Sequence, residues 1–86
     1  MITWDHAKNN KLNRERNVTF EEIAEKIINQ DVLDILENPA RKSQKIFVIA
    51  IHDYTYAVPF VIDRNNTIIL KTAYPSRKLH EIYRKK

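Results

Sequence analysis

Five side chains that can bind or reshape a phosphate fall between positions 71 and 83: Lys71, Arg77, Lys78, His80 and Tyr83. Arginine meets a phosphate through a planar fork of parallel bonds, and lysine supplies a compact charge. Histidine titrates near neutral pH, so it can take or give a proton. Arg77 falls in the first turn of a helix expected after Pro75-Ser76, where backbone amides also favour an anion. The plain alternative is an arginine on a solvated helix. Lys71 follows an apolar run and either snorkels to solvent or faces a cleft. Lys78 suits a general electrostatic contact. Tyr83 shares a period with Leu79, so it either packs on the sheet or turns its phenol outward. Tyr54 and Tyr56 alternate onto one strand face, where their rings either stack bases or cover the sheet. Arg41, Lys42 and Lys45 either extend the basic surface from a loop or are simply solvated. The catalytic candidates are therefore Arg77, Lys71 and His80. The contact candidates are Lys78, Tyr83, Tyr54, Tyr56 and Lys45.

Composition narrows the chemistry further. The chain has 86 residues, no cysteine and no glycine. Thiolate metal sites and disulfides are excluded, as are the usual glycine-dependent phosphate loops. His6, His52 and His80 lack zinc-ligand spacing, so neither a metal nor a cofactor is expected. Two acidic pairs, Glu21/Glu22 and Glu21/Glu25, lie on a helix exterior, where helix capping explains Glu22. The formal charge of +4 is uneven. Residues 1–16 carry four Lys/Arg against two acids, residues 17–70 five against eight, and residues 71–86 six against one. A basic end on a mildly acidic body is the footprint of a polyanion binder, or simply a solvated tail. No apolar run approaches the roughly 20 residues of a membrane span, and the N-terminus lacks the order of a signal peptide. A soluble cytoplasmic protein with no membrane association is expected.

The elements that must position these groups form a single domain over residues 1–86. Ile2-Thr3-Trp4 reads as a short strand with Trp4 as core anchor, and Asp5 as the N-cap of a polar helix to Arg16. Asn17 suits the left-handed end of that helix. Thr19-Phe20-Glu21-Glu22 matches a capping box, and Phe20, Ile23, Ala24, Ile27 and Ile28 give the next helix an apolar face. Strands are expected at 32–36, 45–51, 54–62 and 67–73, joined by turns at His52-Asp53 or Asp53-Tyr54 and at 63–66. Pro59 marks an edge or a bulge. Ser76 caps a last, basic helix with Leu79, Ile82 and Tyr83 inward. Strand, two helices, a four-stranded antiparallel meander and a helix make an α+β domain, expected in two layers with the helices on one face.

Trp4-Asp5 with Lys8, followed by Val18-Thr19-Phe20-Glu21-Glu22-Ile23-Ala24, resembles the opening of BrnT-like toxins. Ser76-Arg77-Lys78 with the later Glu81 and Tyr83 resembles their ending. Leu12 stands where the family pattern has asparagine. The resemblance implies a RelE-like fold and a type II toxin, a metal-independent endoribonuclease that cleaves mRNA and inhibits translation, with Arg77 at the site. It implies a cognate antitoxin, often with a ribbon-helix-helix domain, through which the pair reaches operator DNA. Such cleavage uses the RNA's own 2′-hydroxyl: a base takes its proton, cations stabilise the phosphorane and an acid protonates the leaving 5′-oxygen. An antitoxin would cover the basic cleft or add a strand at the edge marked by Pro59. The competing expectation is a non-catalytic RNA-binding or protein-interaction module with a basic C-terminal face.

Overall fold

The computed structural model describes residues 1–84, so the basic charges expected at Lys85 and Lys86 lie outside the described residues. The order is β1 (Ile2–Trp4), α1 (His6–Arg16), α2 (Phe20–Ile28), β2 (Asp34–Glu37), β3 (Lys45–Ile51), β4 (Tyr54–Ile62), β5 (Ile68–Leu70), β6 (Tyr74–Pro75) and α3 (Arg77–Tyr83). This is an α+β domain with a mixed sheet ordered β1-β5-β4-β3-β2.

Local signals set the helix limits. The Asp5 carboxylate accepts from the Lys8 amide at 3.0 Å, and Asn17 closes α1 in the left-handed region at φ 56. Both bonds of the Thr19/Glu22 capping box are made. The Ser76 hydroxyl accepts from the Leu79 amide and starts α3. Without glycine, left-handed conformations fall to Asn17, Gln30, His52, Asp53 and Asn66. Positive φ at both His52 and Asp53 makes the β3–β4 connection a type I′ hairpin.

The four strands β2 to β5 form the expected antiparallel meander. β1 joins it in parallel beside β5, with Ile2 opposite Ile68 and Trp4 opposite Leu70. One face of the sheet carries Phe47, Ile49, Ile51, Tyr56, Val58, Phe60 and Leu70, and Leu12, Val18, Phe20 and Ile23 of the helical pair close over it. Ile28, expected in this core, is 71% exposed. As the last helical residue it has rotated off the stripe formed by Phe20, Ile23, Ala24 and Ile27.

By alternation, Val48, Ala50, Thr55 and Ala57 face the other way. α3 crosses this second face: His80 bonds Thr55, and the Tyr83 hydroxyl donates to Asp34 on β2 at 2.5 Å. The helices therefore lie on both faces, and the expected two layers become three. Its inward side is Leu79, His80 and Tyr83, while Ile82 is half exposed.

Pro59 lies inside the sheet, since β4 has β3 on one side and β5 and β6 on the other. The bulge is on the segment opposite, between β5 and β6. Phe60 pairs with Leu70 and Ala57 with Tyr74, so Val58 and Pro59 face three residues, Lys71, Thr72 and Ala73. The Pro59 carbonyl accepts from the Lys71 amide, and a residue's N–H and C=O lie on the same side of a strand. The donor that proline lacks is thus missing where the ladder breaks. A strand added beside Pro59 is ruled out, and the open sheet edges are β1, β2 and the outer side of residues 71–75.

Candidate nucleic-acid interface

β1 covers β5 only as far as Leu70, because the chain turns at Asp5 into α1. Residues 71–74 are left with an open flank, and α1 runs beside it. The helical spacing of Lys8, Lys11, Leu12, Glu15 and Arg16 places all five on one side of α1. They face Lys71, Thr72, Ala73 and Tyr74 across a groove of about 310 Å³. Leu12 is buried at its floor. The Lys8 ammonium donates to the Lys71 carbonyl at 3.3 Å, which closes the near end. Among the described residues no ion pair engages any of these cations.

The candidate catalytic residues separate. Lys71 lies in this groove. Arg77 opens α3, exposed on the surface. His80 is half-buried, with Nδ1 3.0 Å from the Thr55 hydroxyl and its ring stacked on Tyr54 at 4.2 Å. The Lys71 amide meets β4 at Pro59 and His80 meets it at Thr55, roughly 13 Å apart at the usual rise per residue. His80 instead shares a pocket with Asp53, Tyr54, Tyr83 and Arg84.

Among the contact candidates, Lys78 is exposed on α3. Tyr83 is held by Asp34, and that hydrogen bond keeps its phenol pKa above the ordinary value. Tyr54 is covered on one ring face by His80. Tyr56 is 7% exposed within the first-face core, so its ring has no open face for a base. Alternation from Tyr54 identifies the face correctly, but that face is the one the helical pair covers. Lys45 lies opposite Phe60, far along β4 from His80, beside Glu37 at 3.9 Å.

Lys8, Lys11 and Arg16 stand outside the expected site, because residues 9–16 read as a wetted surface with a thin apolar stripe. Their available signal is their shared spacing with Leu12, the buried residue of that stripe. Asn9 is also buried: its carbonyl oxygen accepts from the Phe20 amide and its amide donates to Glu21, both at 2.7 Å. The bond holds the Glu21 carboxyl below its usual pKa. Asn9 thereby fixes α1 against the start of α2, and so sets the wall of the groove.

Among the described residues no three His, Cys, Asp or Glu side chains gather as metal ligands, and no helix is long and apolar enough to cross a membrane. No protein-family model matches the chain, and no curated protein or solved structure is significantly similar to it.

Proposed function

We propose that this chain acts on RNA, as the endoribonuclease toxin of a toxin–antitoxin pair. One observation carries the proposal: among the described residues, the excess of positive charge lies around one groove. A second hollow of about 470 Å³ adjoins the first and shares Lys8, Lys71, Thr72 and Tyr74 with it, adding Arg41. The two together hold five cations, Lys8, Lys11, Arg16, Arg41 and Lys71, and one acid, Glu15. The sequence has 15 Lys/Arg and 11 Asp/Glu in all. With Lys85 and Lys86 set aside, eight Lys/Arg and ten Asp/Glu remain elsewhere, so the positive excess of the described residues lies here. Such a concentration attracts and orients a polyphosphate chain.

In this proposal Lys71, with Lys8 beside it, holds the phosphate on which the 2′-oxygen closes. Arg77 and Lys78 extend the field along α3. His80, the expected group for proton transfer, meets β4 at Thr55 and does not reach that phosphate, so solvent water takes the 2′-hydroxyl proton and protonates the leaving 5′-oxygen. The antitoxin covers the groove and neutralises the toxin. Induced expression of the chain in a bacterial host tests this. Growth arrest with new mRNA ends, lost in Lys71→Ala, is expected; arrest with intact RNA would move the target to protein.

A non-catalytic RNA-binding module is the second reading, and one observation favours it. His80 is anchored to Thr55 and Tyr54, roughly 13 Å along β4 from the level of Lys71. Salt-sensitive RNA binding without cleavage products is its signature.

A further inference from the structure

We infer that the groove takes single-stranded RNA along a defined track, with Tyr74 as the platform on which a base stacks. The inference rests on the RNA-acting proposal and assigns it a path and a residue.

Tyr74 is an aromatic residue at the meeting of the two hollows, one between α1 and the open flank and one beside Pro59 and the 38–44 loop. It is 44% exposed, and no ring or hydrogen-bond partner engages its side chain among the described residues. The bulge opposite Pro59 explains why it is outside the core. Leu70 points into the first-face core, and strict alternation from there would send Tyr74 into the same core. The extra residue reverses the phase. Ala73 and Pro75 take the core-side positions, and Tyr74 pairs with Ala57 on the second face.

Cations flank the ring on both sides. Arg16, Lys11 and Lys8 approach from α1, Lys71 stands at the crossing, and Arg41 lies beyond. A positive groove that tracks a backbone, with an aromatic ring along it, is the general form of a single-strand site. A duplex keeps its bases stacked inward and offers none to the ring. An acidic polypeptide would match the cations but would leave the exposed ring unused.

The test is fluorescence anisotropy with the purified chain and a labelled RNA of about ten nucleotides, within the range of single-strand sites. Its riboses are 2′-O-methylated, so binding is read without cleavage. The single strand is expected to bind more tightly than the same sequence as a duplex. Tyr74→Ala should weaken it about tenfold and Tyr74→Trp should restore it. Lys8→Ala and Arg41→Ala should each lower the slope of log affinity against log salt by about 0.7. Arg64→Ala, in the β4–β5 turn, should change neither. Single-strand binding that is indifferent to Tyr74 would overturn the inference and leave the RNA-acting proposal standing. So would equal affinity for the duplex. Displacement by polyglutamate as readily as by unlabelled RNA would assign the track to an acidic protein. Absence of any RNA binding would overturn both.

Discussion

Asn9 is the residue on which the wall of the groove depends. Its side chain is the partner of the Phe20 amide, which is buried. Asn9→Ala leaves that N–H unpaired, and a destabilisation of about 1–3 kcal/mol is expected in urea unfolding. Two pH limbs follow from side chains that bind in one protonation state. Asp5, through the Lys8 amide, and Glu21, through Asn9, have carboxyl pKa values lowered by folding. Their contribution is present above the ordinary carboxylate pKa and is lost as pH falls through the lower folded value. Tyr83 is the opposite case, since its bond to Asp34 raises the phenol. Its contribution is present below the ordinary tyrosine pKa and is lost as pH rises through the higher folded value. Denaturant midpoints measured across pH should therefore show a shallower acid limb in Asp5→Ala and a shallower alkaline limb in Tyr83→Phe. Unchanged limbs would mean that these bonds do not persist in solution.

At the scale of elements, the capping box starts α2 and sets Glu22 beside the β3–β4 hairpin. Glu22 returns a bond to the Thr19 amide and lies 3.5 Å from His52 in the type I′ turn. Thr19→Ala should cost about 1 kcal/mol, read from the same unfolding curves. Signals of this kind made the elements legible in the sequence: Asp5, Asn17, Thr19 with Glu22, and Ser76 each act within four residues of themselves. The strands β3 and β4 were legible from β-branched and alternating residues. The face of Tyr74 was not, because it depends on one extra residue opposite a proline fifteen positions earlier. The layer of α3 was not either, since crossing to the second face depends on Thr55 and Asp34, remote in the chain.

For the whole molecule, the parallel pairing of β1 with β5 is decisive. It brings Lys8, Lys11 and Arg16 to Lys71, more than fifty residues away in the chain. The sequence therefore made the C-terminal basic segment look like the site, whereas among the described residues Lys71 is the one cation of that segment that lines the groove. The charge excess itself was legible, but its location is a property of the topology. We propose that this charge serves RNA cleavage by the substrate's own 2′-hydroxyl. The most direct measurement is to incubate the purified chain with a single-stranded RNA in the presence of a chelator and identify the new ends. Fragments ending in a 2′,3′-cyclic phosphate and a 5′-hydroxyl, absent with Lys71→Ala, are the predicted result. Intact RNA with undiminished binding, or fragments bearing 5′-phosphates, would contradict it.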